Sequence, residues 1–260
     1  MNELVSKSVY ILREAYFEFK KPAILWSTGK DSTVALSLCR DAFMGDIPFP
    51  VIHIDTGYKF PMMYEVRDRL AKEWGFNLIV AKNPKWFSKI GPKDNKFKCC
   101  SKLKTEALQL CVKEYGFDAL ILAIRRDEHG IRAKERVFSP RDDKFAWDYK
   151  HQSVEMWNLY QKSTKGHTRI HPILHWRELD CWEYVKEKNL FFNPMYLAKD
   201  GKRYRSLGCE PCTNTIDSTA SNIDEIVEEL RTTKKAEREG RAQDKEHTFT
   251  MQKLRALGYM

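Results

Sequence analysis

Between Pro22 and Glu128, four short apolar runs alternate with three stretches of helical periodicity. This alternation constrains the fold more than any other feature. The runs are "PAILWS", "FPVIHIDTG", "FNLIVAKN" and "FDALILAIRRDE". Each is nearly continuous in apolar residues, which is the pattern of a strand buried on both faces. The stretches between them, "DSTVALSLCRDAF", "KFPMMYEVRDRLAKEWG" and "CSKLKTEALQLCVKEYG", read as helices, with Gly75 closing the second. A further helix precedes them, with a stripe of Val5, Val9, Leu12, Tyr16 and Phe19. Strands alternating with helices predict an α/β fold, a doubly wound and mostly parallel sheet.

In such sheets ligands sit beyond the carboxyl ends of the strands. The polar strand ends here are Ser27–Asp31, Asp55–Lys59 and Arg125–Glu128, so all three are expected at one crevice. From about Arg136 the alternation stops, and aromatic, basic and turn-forming residues take over. A second helix-like stretch, "HWRELDCWEYVKEKNL", a cysteine loop and a helix starting near Ser221 follow. The expected division is a nucleotide-binding core over 1–135 and an irregular helical C-terminal elaboration over 136–260, completing the site.

Composition narrows the function classes. No run of eighteen apolar residues exists, and the N-terminus mixes charges into its helical period. Neither a transmembrane helix nor a signal peptide is expected, and a cytoplasmic location is. The net charge of +9 points to an anionic partner, such as a nucleotide, a nucleic acid or an acidic surface. The seven cysteines are odd in number in a chain of cytosolic character, which argues against disulfides. Cys39, Cys111 and Cys181 fall in helical patterns and read as buried small hydrophobes. Trp147, Trp157, Tyr160, His167 and His171 suit either a substrate channel or a packed core.

The loop after the first strand, "STGKDS", carries the chemistry. A strand, a small-residue loop and a helix N-terminus form an anion site, because orphan backbone N–H groups and the positive end of the helix dipole face the ligand. Gly29 permits close approach, Ser27, Thr28 and Ser32 offer hydroxyls, and Lys30 offers a point charge. The spacing is not that of a Walker A loop. The alternative is an ordinary helix cap by Asp31 or Ser32.

"STGKDS" resembles the S-G-G-K-D-S loop of the PP-loop ATP pyrophosphatases, with Thr28 in place of the first glycine. The resemblance implies an adenine nucleotide alpha hydrolase-like fold that splits ATP between the α and β phosphates. It implies that Ser27, Thr28, Gly29, Lys30, Asp31 and Ser32 hold the nucleotide's pyrophosphate portion. "FPVIHIDTGYKFPMMYEVRDR", "YGFDALILAIRRDEHGIRAKERVFS", "WDYKHQSVEMWNLY" and "RYRSLGC" resemble, in the same order, the ATP-binding subunit of sulfate adenylyltransferase and the related phosphoadenylyl-sulfate reductases. Asp55 and Thr56 would then lie beside the nucleotide. Arg125, Arg126 and Asp127 would line the substrate side, and Arg132, Lys134, Glu135 and Arg136 would follow in an oxyanion- or nucleotide-facing loop. The chemistry agrees: attack at the α-phosphoryl group needs its developing charge neutralised. Lys30, Arg125 and Arg126 are the cations for that, with Asp31 or Asp55 available to Mg²⁺.

Two further motifs, "KCCSKLKTE" and "SLGCEPCT", resemble the Cys-Cys and Cys-x-x-Cys signature with which adenylyl-sulfate reductases ligate a 4Fe-4S cluster. Four thiolates, Cys99, Cys100, Cys209 and Cys212, are what a cubane takes, one per iron. Adjacent cysteines suit several irons side by side better than one tetrahedral zinc ion, although zinc or free thiols remain alternatives. The chain lacks the reductases' C-terminal cysteine and keeps the Lys-Asp-Ser of an ATP-splitting loop. That combination resembles the ATP pyrophosphatase of DNA phosphorothioation systems. It implies an ATP pyrophosphatase with a 4Fe-4S cluster, adenylating its target for sulfur insertion into DNA beside a cysteine desulfurase. The alternatives are a sulfate adenylyltransferase subunit working with a GTPase large subunit, and a non-catalytic nucleic-acid-binding sensor.

Overall fold

In a computed structural model the first apolar run becomes the centre of the sheet. The structure describes residues 1–148, 156, 159–162, 166–233, 237–240, 253 and 258. β1 (Pro22–Leu25) pairs in parallel with β2 (Val51–Ile54) on one side and β4 (Ala119–Ile121) on the other. β3 (Leu78–Ala81) extends the sheet beyond β2, also in parallel. Beyond β4 lies β6 (Thr168–Ile170), parallel to it, and β5 (Phe138–Pro140) closes that edge antiparallel to β6. The strand order is β3-β2-β1-β4-β6-β5. The sheet is mostly parallel, as predicted. Two of its strands lie beyond residue 135, on the far side of the boundary drawn from the sequence. Each is three residues long, too short to show a period, and one ends on Pro140.

Both faces of the sheet are covered. Ile24, Val51, Ala119 and Ile121 pack into one core with α1 (Asn2–Glu18), α2 (Lys30–Ala42), α3 (Pro61–Trp74) and α6 (Glu178–Glu187). Ala23, Leu25, Ile52 and Leu120 point the other way, onto Ala107, Leu108, Cys111 and Val112 of α5 (Glu106–Tyr115). Alternate residues of one strand thus serve two cores, which is why the runs are apolar throughout. Each fully buried Leu or Ile contributes about 1.5–3 kcal/mol. Cys39, Cys111 and Cys181 are buried, the first and third within the α1/α2/α6 core.

α3 and α5 both end on a left-handed glycine, Gly75 (φ +67°) and Gly116 (φ +68°), whose N–H groups reach back to Ala71 and Val112 carbonyls. The helix predicted over 100–116 is interrupted. A short α4 (Lys96–Cys100) runs into a π-helical turn, Ser101–Thr105, before α5 begins. In the C-terminal part, a two-stranded ribbon of β7 (Lys202–Arg203) and β8 (Ile216–Asp217) precedes α7 (Ile223–Thr232). α7 starts at Asn222, whose side chain accepts from the Glu225 N–H at 3.0 Å. Among the described residues no helix is long and apolar enough to cross a membrane.

From β1 the chain winds outward through β2 and β3, then returns to the other side of β1 as β4. The switch point therefore falls between β1 and β4, whose carboxyl ends lead into Ser27–Gly29 and Arg125.

Candidate functional site

A cleft with a cavity volume of about 170 Å³ opens at that switch point. Ser27, Gly29, Lys30, Asp31 and Ser32 line it from the β1 side. Leu122, Ala123 and Ile124 line it from the β4 side, and Leu207 and Gly208 from the loop before Cys209.

The loop is held by its own hydroxyls. Ser32 Oγ accepts from the Ser27 N–H at 3.2 Å and donates to the Gly29 carbonyl at 3.0 Å. Thr28 has φ +63°, a left-handed conformation that costs a β-branched residue about 1–2 kcal/mol and that glycine adopts freely. Its hydroxyl donates to the Ser27 carbonyl at 2.6 Å. No side chain caps α2, so the ordinary helix-cap reading of Asp31 or Ser32 does not hold. Instead the Lys30 N–H donates to the phenolic oxygen of Tyr196 at 2.9 Å, and Tyr196 is fully buried at the same cleft.

Lys30 and Arg125 stand at the centre of a buried charge network. Lys30 Nζ lies 3.3 Å from Asp31 Oδ2 and 3.8 Å from Glu178 Oε1, and is paired closely with Glu237. Arg125 is paired with Asp31 and with Glu237, and its Nε donates to Asp127 at 3.0 Å. Arg205 grips Glu178 at 2.7 Å. Burial alone would lower the Lys30 pKa, but Asp31, Glu237 and Glu178 outweigh it and hold the ammonium above its ordinary value. Burial would likewise raise the Glu237 carboxyl, yet Arg125 and Lys30 keep it well below the usual carboxylate range. Burial and the neighbouring Glu237 push Glu178 upward.

The other sequence candidates divide. Arg132 lines the cleft and is paired with Glu128, which also lines it. Asp127 is a bracket: its second oxygen accepts from the Glu178 N–H at 2.8 Å and fixes the start of α6. Arg126 turns aside, with Nη2 donating to the Glu135 carbonyl at 2.9 Å and Nη1 lying 3.1 Å from His175 Nδ1. Lys134 is exposed at the end of a 3₁₀ turn, and the Arg136 carbonyl meets His171 Nδ1 at 2.7 Å. Asp55 is buried behind the cleft wall. It accepts from the Gly57 N–H and the Tyr64 hydroxyl at 2.8 Å each, and from Lys82 at 3.1 Å. Thr56 Oγ1 lies 3.3 Å from Cys209 Sγ. His167 packs against Phe145, and Tyr160 against Phe138, so both belong to the packing. Trp157 lies outside the described residues.

The sequence reading missed Tyr196, Glu178 and Glu237, and the cleft lysines Lys59 and Lys104. Glu178 and Glu237 sit in stretches that read as ordinary charged helix and charged tail, and nothing local marks them.

The two cysteine motifs meet. Lys59 bridges Cys209, and the Glu210 N–H donates to the Tyr58 carbonyl at 2.8 Å, which lays the 209–212 turn along the end of β2. Tyr58 also packs on the small cluster of Ile90, Cys99 and Leu103. All four cysteines are buried. Burial and then the neighbouring Cys100 and Cys209 push the Cys99 thiol up to about 12, so the thiols lie within electrostatic reach of one another. Among the described residues no group of three or more His, Cys, Asp or Glu side chains is arranged to hold a metal ion.

Comparison with known proteins places the chain. A family profile, the phosphoadenosine phosphosulfate reductase domain, matches residues 21–215. The chain is 40% identical to sulfate adenylyltransferase subunit 2 of Pseudoalteromonas translucida, over all of this chain and 98% of that protein. It is equally 40% identical to the same-named protein of Shewanella loihica, over all of this chain and 97% of that one. In fold it is similar to a phosphoadenylyl-sulfate reductase from Candida auris, with TM-score 0.54, 19% identity, and coverage of 72% of this chain and 82% of that one. It is also similar in fold to the Candida glabrata FMN adenylyltransferase in complex with ATP, with TM-score 0.58, 16% identity, and coverage of 82% and 62%.

These matches overturn the expectation of a DNA phosphorothioation enzyme with a cysteine desulfurase partner. The likeness to sulfate adenylyltransferase subunit 2 runs the full length of both chains, whereas the phosphorothioation reading leaned on four cysteines. The chain belongs to the phosphoadenosine phosphosulfate reductase domain family and, as an enzyme of the PP-loop class, to its sulfate adenylyltransferase subunit 2 branch.

Proposed function

We propose that this chain is the ATP-binding subunit of a sulfate adenylyltransferase, joining sulfate to the adenylyl group of ATP and releasing pyrophosphate. The observation that carries this is a cleft lined by Ser27, Gly29, Lys30, Asp31 and Ser32 of the "STGKDS" loop, with buried Arg125 paired to the lining Asp31, in a chain with full-length relatives of that name. A sulfate oxygen attacks the α-phosphorus, and the bond to the β-phosphate oxygen breaks. Lys30 and the N–H groups at the start of α2 neutralise the departing pyrophosphate. Ser27, Thr28, Gly29 and Ser32 shape the loop around it. Lys59, Lys104 and Arg132, which line the same cleft, supply positive potential for the second anion, sulfate. Asp31 is the cleft-lining carboxylate that would hold Mg²⁺; one carboxylate suffices where substrate phosphates complete the shell. The relatives' designation as subunit 2 supports a large-subunit partner, which we take to be a GTPase. The free thiols suit a cytoplasmic setting.

The four buried cysteines match a 4Fe-4S cluster in number, and a cubane spreads its thiolates over four irons where zinc draws them to one. Cys99, Cys100, Cys209 and Cys212 would hold it. A bound cluster would supply iron for these four thiolates to ligate.

The test incubates the chain, purified anaerobically together with its large subunit, with ATP, Mg²⁺ and radiolabelled sulfate. Adenylyl sulfate and pyrophosphate should appear together, and iron analysis should give about four irons per chain. Release of ADP and phosphate would refute the adenylyl-transfer reading. A colourless protein without iron would refute the cluster alone.

A further inference from the structure

The loop's principal cations already carry an anion of the chain's own. A 3₁₀ turn at Glu237–Gly240 places the Glu237 carboxylate against both Lys30 Nζ and the Arg125 guanidinium. Glu237 is buried, as are both cations. A carboxylate and a phosphate both offer anionic oxygens to a guanidinium and an ammonium, and Glu237 gives one oxygen to each cation. The loop's first helical N–H is also taken, by the Tyr196 hydroxyl.

Immediately around Lys30, away from the cleft's Lys59, Lys104 and Arg132, the charges lean negative. Lys30, Arg125 and Arg205 face the carboxylates Asp31, Asp127, Glu178 and Glu237, three cations against four anions. Withdrawing Glu237 brings the two to parity. Its neighbour Arg238 lines the cleft and pairs with Glu128 at 2.9 Å, so one short turn both fills the cation pair and edges the opening.

We propose that the turn Glu237–Gly240 is a displaceable plug, in which the Glu237 carboxylate holds the place of a nucleotide phosphate group and leaves when the nucleotide enters. This rests on the reading of the cleft as the ATP site. Lys30 and Arg125 stay paired in both states, with Glu237 in one and with phosphate oxygens in the other. The buried cations are therefore never left uncompensated, a state that burial penalises. The price of that security is affinity, because each phosphate must first expel a carboxylate.

The experiment titrates the full chain with ATP and with inorganic pyrophosphate by calorimetry, as wild type and as Glu237→Gln. In parallel it follows hydrogen–deuterium exchange of the wild type. The variant should bind pyrophosphate about tenfold more tightly. In the wild type, pyrophosphate should slow exchange over 29–34 and quicken it over 237–240. Equal or weaker binding by a folded variant overturns the plug and makes Glu237 a positioning residue for Lys30. Should the variant fail to fold, the wild-type exchange decides: unchanged or slowed exchange over 237–240 overturns the plug. Absence of ATP and pyrophosphate binding in the wild type overturns the nucleotide reading itself, and the plug with it.

Discussion

Lys30 is the residue on which the site turns. It opens α2, lies in the cleft, and is ringed by Asp31, Glu178 and Glu237. Lys30→Ala should lower kcat/KM for pyrophosphate release by about 10²–10³, the cost of losing one charge donor to the transition state. Sulfate-dependent pyrophosphate assays check this, and loss confined to KM would refute it. Lys30 and Ser32 were legible in the sequence because their setting is local: six consecutive residues make the loop. Tyr196 and Glu237 were not, because their contacts to Lys30 span 166 and 207 residues. Thr28 falls between these cases. Its glycine-like position was legible, and the structure adds the reason, a left-handed backbone.

At the scale of elements, punctuation was read better than interruption. Gly75 was predicted as a helix end and is one, with a left-handed φ. A Cβ there would meet nothing within 4 Å, so Gly75→Ala isolates the conformational cost. The expected loss is about 1 kcal/mol, or about 2–4 °C in Tm for a chain of this size, with kcat unchanged. Thermal melts check this. A drop near zero would mean that the helix end relaxes to another geometry. The π turn at Ser101–Thr105 escaped notice because Lys102, Leu103 and Lys104 are good helix formers, and an extra residue in a turn leaves no mark in composition. It follows Cys99 and Cys100 directly and turns Leu103 into the cluster around Cys99. β5 and β6 escaped for a different reason: three-residue strands carry no period.

At the scale of the molecule, three buried histidines set the response to acid. His53 donates from Nδ1 to the Trp26 carbonyl at 3.0 Å, and its Nε2 is buried without a hydrogen-bond partner among the described residues. Burial first, and then Lys59 and Arg67, lower its pKa to about 3. Burial lowers His171 to about 4 and His167 to about 2. Unfolded, each would titrate near 6.5. Between those values the unfolded chain binds more protons than the folded one, so stability is full above about pH 6.5 and falls as the pH drops. Each histidine adds a slope approaching about 1.4 kcal/mol per pH unit. Melts at pH 7, 6 and 5 should show Tm falling progressively more steeply, and His53→Gln should flatten the slope. A Tm constant from pH 7 to 5 would contradict this account. The net charge of +9 gave no comparable guidance. It pointed to an anion without saying which, and the expected DNA partner was the reading that failed.

The pairing of Lys30 with Glu237 also has a history within each molecule's synthesis. At about 5–20 residues per second, 207 residues separate the two by roughly 10–40 s on the ribosome. The growing chain therefore carries its phosphate-binding lysine long before the carboxylate that pairs with it exists. Throughout that interval Lys30 stands without Glu237 to pair with.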